Sequence, residues 1–291
     1  MFDLEFVTCP FFLKVKAMKF TLISDIHIDH SGWDWGCLAH VDATTPLVVC
    51  GDIENDVRAG SRWLREAGQR FENVIWVAGN HDHYNLGFHT TRLHDPEFDG
   101  QYPYPRSVNE IYAHYSRYSK ANNVKFLHRG CVELNGVLFV GATGWHDFQA
   151  GSPFSFEQQS SSYLYYMNDA QYIQWETEYK VQEILACAQA DAAYIQKIVD
   201  QHSGPVVVLT HHAPHRDLLQ SNPNPRWTQL NGSYANTLME SICNSNIRAW
   251  CFGHTHQRQD RVINGVRYIN NARGYPGENP GWTPVEIEID I

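Results

Sequence analysis

Residues 73–82 read NVIWVAGNHD, an apolar run followed at once by Gly79, Asn80, His81 and Asp82. A short apolar run that is bounded by glycine is typical of a buried β-strand. The polar side chains behind it can bind a metal ion or move a proton. This stretch therefore predicts a strand that carries chemistry at its carboxyl end.

Four further apolar runs end in the same way. The predicted strands are Asn73–Ala78 together with Lys19–Ile23, Pro46–Cys50, Pro205–Thr210 and Ile247–Phe252. The four further runs lead into Ser24-Asp25-Ile26-His27, Cys50-Gly51-Asp52, Thr210-His211-His212 and Gly253-His254-Thr255-His256. Because the strands of an open α/β sheet present their carboxyl ends to one crevice, we expect these side chains to share one site. In Asp25-x-His27 and His254-x-His256, residues two apart on an extended segment face the same way, and so both can reach one ion.

Helices and hairpins are expected between these strands. The apolar pattern predicts helices over 57–70 and 171–202. Asn-Gly pairs at 135–136 and 264–265, each between two apolar runs, predict hairpin turns. Strands that alternate with helices in this way indicate an α/β protein.

Two long segments do not fit this alternation. We expect inserted flaps around 83–106 and 144–170, because loops of this length in a compact domain are usually functional or disordered. No repeat or linker divides the rest of the chain. The sequence therefore predicts an N-terminal extension over 1–17 and a single domain over 18–291.

The composition excludes several classes of protein. With 291 residues, of which 43% are hydrophobic and 19% charged, the chain is neither disordered nor a coiled coil. Its 22 basic and 32 acidic residues give a net charge of −10, which makes nucleic acid an improbable partner. No apolar run approaches the roughly 20 residues of a membrane helix, so no membrane partner is expected. Seven scattered cysteines without a CxxC pair predict reduced thiols and a cytoplasmic location.

The side chains at the strand ends suit transition metals. Mixed carboxylate and imidazole ligands favour Mn, Fe, Zn, Co or Ni, whereas Ca and Mg prefer oxygen alone. These side chains offer more ligands than one ion needs, and a dinuclear site with a bridging carboxylate would bind them all. We therefore expect two divalent or mixed-valence metal ions as cofactors.

The five motifs DIH, GD, GNHD, THH and GHTH occur in this order between Asp25 and His256. In this respect the chain resembles the calcineurin-like metallophosphoesterase superfamily. The pieces GATGWHDF, YMND, THHAP and NARGY are similar to a bacterial group of phosphoesterases within it. The resemblance implies an α/β fold, a β-sandwich of two mixed sheets flanked by helices, with a dinuclear metal site at the carboxyl ends of the strands.

The resemblance also implies roles for individual residues. The first metal would be bound by Asp25, His27 and His256, the second by Asn80, His211 and His254, and both by Asp52. His81 matches the histidine that lies beside the metals and acts on the leaving group or the phosphate. None of these assignments follows from spacing alone.

One motif departs from the pattern of the protein phosphatases in this superfamily, which carry GDxxDRG. Here the stretch is GDIENDV, with Asn55 at the position of the second aspartate and no following Arg-Gly. A carboxylate that would orient and charge His81 is therefore not secured, although Asp56 or Asp82 could replace it. The departure argues against protein-phosphatase activity.

Three further residues are weaker candidates for substrate binding. Arg273 could bind a phosphate through two hydrogen bonds or form a salt bridge near a turn. His146 could contact substrate or lie in a solvated loop. His212 follows a predicted ligand and could support it or face a flap.

The expected function is metal-dependent hydrolysis of a phosphate ester by a metal-bridging hydroxide. The substrate would be a phosphodiester or a phosphomonoester of a small metabolite or nucleotide. A nuclease of the same superfamily is the first alternative, and the acidic charge argues against it. A non-catalytic metal-binding scaffold is the second, and the complete ligand set with His81 argues against that. The oligomeric state stays open.

Overall fold

The computed structural model describes residues 17–84, 105–220 and 224–291, without the side chains of 225–227. Nearly all of the predicted extension over 1–17, and most of the predicted flap around 83–106, lie outside these ranges. The strands of the described part are β1 (Ala17–Ile23), β2 (Leu47–Cys50), β3 (Val74–Val77), β4 (Val124–Phe126), β5 (Gly130–Leu134), β6 (Val137–Gly141), β7 (Val206–Leu209), β8 (Ile247–Phe252), β9 (Gln259–Ile263), β10 (Val266–Asn270) and β11 (Val285–Asp290).

The α-helices of the same part are α1 (Ile28–Ser31), α2 (Val57–Arg70), α3 (Val108–Ala121), α4 (Phe156–Tyr166), α5 (Asp169–Tyr172), α6 (Lys180–Gln201) and α7 (Pro225–Leu230). Short 3₁₀ turns connect several of these elements. Of the helices that the structure describes, none has the length and hydropathy needed to cross a membrane.

The strands form two sheets. The first has the order β11-β1-β2-β3-β4, in which only the edge strand β11 is antiparallel to its neighbour. The second has the order β5-β6-β7-β8-β10-β9, with β6, β7, β8 and β10 parallel and an antiparallel strand at each edge. The five predicted strands are confirmed as β1, β2, β3, β7 and β8. The predicted sandwich of two mixed sheets is confirmed as well.

Apolar side chains fill the space between the sheets and cover their outer faces. Phe20 of β1 meets Phe139 of β6 between the sheets, edge-on, with ring centroids 5.9 Å apart. On the outer face of the first sheet, Trp76 belongs to the core that includes α2 and α3. On the outer face of the second, Trp250 belongs to the core that includes Ile195 of α6. Each such side chain stabilises the fold by about 1.5–3 kcal/mol when fully buried.

Helix α2 occupies the predicted range 57–70, and Asp56 caps its N-terminus. The Asp56 carboxylate accepts the backbone N–H groups of Arg58 and Ala59 at 2.8 and 2.9 Å. Such a cap satisfies donors that have no partner within the helix. The apolar face of the helix, with Trp63 at its centre, is buried against the first sheet. Asp56 is thus engaged as a cap rather than as a partner of His81.

The prediction of one helix over 171–202 is wrong in its first part. Helix α6 begins at Lys180, and the residues just before it are not helical. The Glu183 carboxylate reaches back and accepts the backbone N–H of Thr177 at 2.5 Å. A side chain that satisfies a backbone donor ahead of a helix competes with extension of that helix.

Both predicted hairpins are present. They join β5 to β6 and β9 to β10, and their turns contain the Asn-Gly pairs. Asn135 and Asn264 have φ angles of 54° and 51°, the left-handed conformation that a two-residue hairpin turn requires.

The segment 144–170 contributes to the interior of the molecule. It contains helix α4, and the side chains of Trp145, Phe148 and Tyr163 belong to the same core as α2. These large aromatic side chains hold the segment in that core, where the Trp145 indole also donates to the Tyr112 hydroxyl of α3 at 2.9 Å.

Candidate metal centre

The carboxyl ends of strands from both sheets meet at one edge of the sandwich, where backbone hydrogen bonds join them. The N–H groups of Asp25 and His27 donate to the carbonyls of Gly51 and Asp52 at 3.0 and 3.1 Å, which joins the loops after β1 and β2. The N–H of His254, after β8, donates to the Asp25 carboxylate at 2.8 Å. The predicted convergence is therefore present, and it crosses from one sheet to the other.

The backbone conformation of the candidate ligands is unusual. Non-glycine residues rarely have positive φ angles, because Cβ then approaches the backbone. Five of the ten described non-glycine residues with positive φ are predicted ligands: Asp25 (50°), His27 (38°), Asp52 (55°), His254 (64°) and His256 (51°). Such strain persists only where the surrounding structure imposes it, and it concentrates at functional sites.

Two glycines allow these segments to approach each other closely. A Cβ atom at Gly79 would overlap the Asp52 carboxylate, and a Cβ atom at Gly253 would overlap the side chains of Ser24 and Asp25. Only glycine fits at these two positions without displacing a candidate ligand.

The first group of candidate ligands is Asp25, His27, Asp52 and His256, whose ligand atoms all lie within 4.8 Å of one another. The Nε2 atoms of His27 and His256 are 3.0 Å apart, and His256 Nε2 lies 3.4 Å from Asp25 Oδ1. Since bonds from nitrogen or oxygen to a transition metal are about 2.0–2.2 Å long, atoms at these separations can bind one ion.

The second group contains Asp52, His211 and His254, again with ligand atoms within 4.8 Å. His211 Nε2 lies 3.2 Å from Asp52 Oδ2 and 2.9 Å from the amide oxygen of Asn80. Asp52 belongs to both groups. The geometry thus brings together all seven residues predicted as ligands, with Asp52 at the position expected of a bridge.

The charges of the site are those of a cation-binding centre. Burial lowers the pKa of His27 to about 4 and that of His254 to about 3, so both imidazoles are neutral, as metal ligands must be. At His211 and His256 burial is outweighed by Asp52 and Asp25, which raise the pKa values to about 9 and about 10, so these two rings would release a proton on binding a metal. Burial also opposes the charge on Asp52, but the imidazoles of His211 and His81 outweigh it and hold the Asp52 pKa well below its usual range. The donor set of carboxylate, amide and imidazole groups therefore fits two transition-metal ions.

Carboxylates outside the two groups hold the candidate ligands in place. Glu278 accepts a hydrogen bond from Nδ1 of His256 at 2.6 Å, which directs Nε2 of that ring toward Asp25. Asp169 accepts the side-chain N–H of Asn80 at 2.9 Å, which leaves the Asn80 oxygen facing His211. Such partners fix the orientation and the tautomer of metal ligands.

Asp82 connects the loops that follow β2 and β3. Its carboxylate accepts the backbone N–H groups of Asp52, Ile53 and Gly79 at 2.9, 3.0 and 2.8 Å. These donors lie on the loops after β2 and β3, so one buried side chain fixes the distance between them. Asp82 is thereby occupied by the backbone and is not the partner of His81.

His81 lies beside the ligands and is held on three sides. Its Nδ1 donates to the side-chain oxygen of Asn55 at 2.7 Å, since an amide oxygen can only accept. Its Nε2 is 3.1 Å from the Tyr275 hydroxyl, and its ring stacks on Tyr84 with centroids 4.2 Å apart. Burial lowers the pKa of His81 to about 3, which favours the neutral ring.

A cavity of about 550 Å³ opens over the candidate ligands. Asp52, Asn80, His81, His254 and His256 form its metal-binding side. Its remaining wall comes from the segment before α5, from Leu230 at the end of α7, from the loop that carries Tyr234, and from the loop that follows β10. A molecule bound in this cavity would lie next to His81 and both ligand groups.

The three weaker candidates do not line this cavity. His146 and His212 are fully buried, their rings face each other at 5.3 Å, and His212 contacts the ring of His254. Arg273 donates from one nitrogen to the carbonyls of Ile26 and Gly32 at 2.8 Å. Their positions suit support of the ligand loops better than contact with a substrate.

Sequence reasoning missed Tyr84, Asp169, Tyr275 and Glu278. The pieces YMND and NARGY had drawn attention to the segments that contain Asp169 and Tyr275, but not to these side chains. Glu278 carries no motif, and only its proximity to His256 reveals its role.

Comparison with known proteins agrees with this geometry. The family model described as calcineurin-like phosphoesterase matches residues 18–258, which include every candidate ligand. The chain belongs to this family. Family membership and the ligand geometry together support metal-dependent hydrolysis of phosphate esters in general.

Two individual proteins are similar to this chain. Uncharacterized protein L509 of Acanthamoeba polyphaga mimivirus is 25% identical over 259 residues, which cover 84% of each chain. The crystal structure of the phosphopantetheinyl hydrolase of Mycobacterium tuberculosis matches 92% of this chain and 95% of its own, with a TM-score of 0.72 and 17% identity. The second similarity shows that the two proteins share a fold.

Proposed function

We propose that this protein hydrolyses a phosphate ester, a diester or a monoester of a small metabolite or nucleotide, at a centre that holds two metal ions. The observation that carries the proposal is that Asp52 belongs to both groups of candidate ligands. Asp25, His27 and His256 would complete one site, and Asn80, His211 and His254 the other. Two bound ions supply charge neutralisation for the phosphoryl group and lower the pKa of water.

The side chains around the ions would orient the ester and handle its protons. His81 lines the cavity, and its Nδ1 proton is held by Asn55, so only Nε2 can exchange a proton with a bound ester. Donation to the departing oxygen requires that Nε2 carry a proton during the reaction. Tyr275 fixes the position of this nitrogen at 3.1 Å. His81 is thus the residue placed beside the reacting ester, and it can donate to the departing oxygen only in its protonated form.

The test is hydrolysis of bis-p-nitrophenyl phosphate and p-nitrophenyl phosphate by protein loaded with Mn, Fe, Zn, Co or Ni. We expect release of p-nitrophenolate with at least one metal, and the ratio of the two rates separates diesterase from monoesterase activity. Asp52→Asn should abolish turnover, and His81→Gln should lower kcat by about 10²–10⁴-fold. His40→Ala, at an exposed position away from the cavity, is the matched control. If neither ester is hydrolysed with any of these metals, the proposal is wrong.

A further inference from the structure

The part of the cavity wall that does not bind metal contains no basic side chain among the residues that the structure describes. It contains two carboxylates instead, Asp169 and Glu278, of which Glu278 is paired with Nδ1 of His256. Phosphate-binding sites usually recognise additional phosphoryl groups through arginine or lysine. A second anionic group on a bound substrate would therefore find no cationic partner among the described residues of this wall.

The Asp169 carboxylate is fully buried, and only one of its two oxygens has hydrogen-bond partners among the described residues. Its Oδ1 accepts hydrogen bonds from Asn80 and Tyr84, whereas its Oδ2 has no hydrogen-bond partner in the described part of the chain. A buried carboxylate in low dielectric acts on charges at a distance more strongly than one in water. It therefore repels anions that enter the cavity beside it.

Aromatic and apolar side chains make up much of the remaining wall. Tyr84, Tyr166, Tyr234 and Tyr275 line it together with Leu230 and Met167. Tyrosine faces attract planar groups and cations but offer little to an anion. The wall thus combines apolar surface with negative charge.

The two observations identify a class of substrate. We infer that the substrate carries one phosphoryl group and that the rest of the molecule bears no negative charge and presents an apolar or aromatic surface. This inference rests on the proposed function, because the single phosphoryl group is the one that the metal centre would hold. It excludes nucleoside polyphosphates and nucleic acid, which carry further phosphates next to the reacting one.

A matched pair of chromogenic diesters tests the inference. The p-nitrophenyl ester of thymidine 5′-phosphate and its 3′-phosphorylated form release the same p-nitrophenolate and differ by one anionic group. We expect kcat/KM to be at least about tenfold higher for the ester without the 3′-phosphate at low salt, and the ratio to fall as ionic strength rises. Calorimetric binding of thymidine 5′-phosphate and thymidine 3′,5′-bisphosphate should show the same order of affinity.

A variant that adds a positive charge to the cavity wall provides a second test. Asn168 is exposed and lines the cavity, so Asn168→Lys adds a positive charge to the wall without touching a candidate ligand. This variant should lower the ratio of kcat/KM for the two esters by about three- to tenfold. Gln171→Lys adds the same charge outside the cavity and should leave the preference unchanged.

The outcomes separate this inference from the proposed function. Equal or faster hydrolysis of the 3′-phosphorylated ester by the unmodified protein overturns the inference while hydrolysis itself stands. An equal effect of Asn168→Lys and Gln171→Lys also overturns it, because the wall would then have no special influence. If neither ester is hydrolysed and bis-p-nitrophenyl phosphate is also stable, the proposed function fails instead.

Discussion

Asn55 and His81 form a hydrogen bond that fixes which ring nitrogen of His81 carries the proton. The Asn55 oxygen lies 2.7 Å from Nδ1 of His81, at the sequence position where related protein phosphatases carry an aspartate. An amide fixes the tautomer of the ring as an aspartate would, but it supplies no negative charge. His81 is therefore oriented without being charged, and its pKa stays low because burial outweighs the attraction of the Asp52 carboxylate.

Exchange of the side chains at positions 29 and 55 should place a negative charge next to His81. The Asn55 side-chain N–H donates to Asp29 at 2.5 Å, so the double variant Asp29→Asn/Asn55→Asp keeps an amide against a carboxylate while it moves the negative charge next to His81. An opposite charge at this distance raises a histidine pKa by about 1–3 units. We expect the alkaline limb of the pH–rate profile for bis-p-nitrophenyl phosphate to move up by about one unit. Asp29→Asn alone is the control, and an unmoved limb would show that His81 does not control it.

Loss of the shared carboxylate should remove more metal than loss of a ligand to one site. Asp52→Asn weakens both ligand groups, whereas His256→Ala affects only the first. We expect elemental analysis after gel filtration to find well under one equivalent of metal in Asp52→Asn and about one in His256→Ala, against about two in the unmodified protein. Equal metal content in the two variants would contradict the bridging position of Asp52.

Asp82 should matter for folding even without metal. Its carboxylate accepts three backbone N–H groups within 3.0 Å, and an amide in its place would set an N–H against one of those donors. Asp82→Asn should therefore lower the free energy of unfolding by about 2–4 kcal/mol. Urea denaturation in the presence of a chelator measures this loss. Asp56→Asn, which keeps a good helix cap, should cost less than about 1 kcal/mol, and a similar loss in both variants would refute the assigned role.

His114 should contribute to acid unfolding. This side chain on α3 contacts Ser61 of α2 at 2.9 Å, and burial lowers its pKa to about 4. Between pH 6.5 and 4 the unfolded chain binds the proton more readily than the folded protein, so stability decreases as the pH falls through this range. We expect the stability difference between the unmodified protein and His114→Gln to shrink by about 2 kcal/mol from pH 7.5 to pH 5. A difference that stays constant with pH would mean that His114 titrates alike in both states.

The strands and the polar residues that follow them were predictable because both are local features of the sequence, whereas the division of those residues between two metals came from the family resemblance. The run before Gly79 is apolar, short and followed by polar residues, and nothing distant is needed to recognise it. The Asn-Gly turns of the hairpins are local in the same sense.

The supporting contacts were not predictable, because they join residues that are far apart in the chain. Asp169 holds Asn80 across 89 positions, and Glu278 holds His256 across 22. Only the packing of α5 and of the loop after β10 creates these contacts. The burial of His146 and His212 is a long-range feature in the same way, because their rings pack on each other and His212 contacts His254.

The backbone hydrogen bonds and candidate ligands that link the two sheets have a mechanical consequence. Asp52 and Asn80 extend from the first sheet, whereas His211 and His254 extend from the second, so a cation bound among them fastens the two halves of the sandwich together. Ions that bind only the folded chain stabilise it in proportion to the logarithm of their concentration. The melting temperature should then rise with the concentration of free metal. Chelation should first destabilise the edge of the sandwich that carries the candidate ligands.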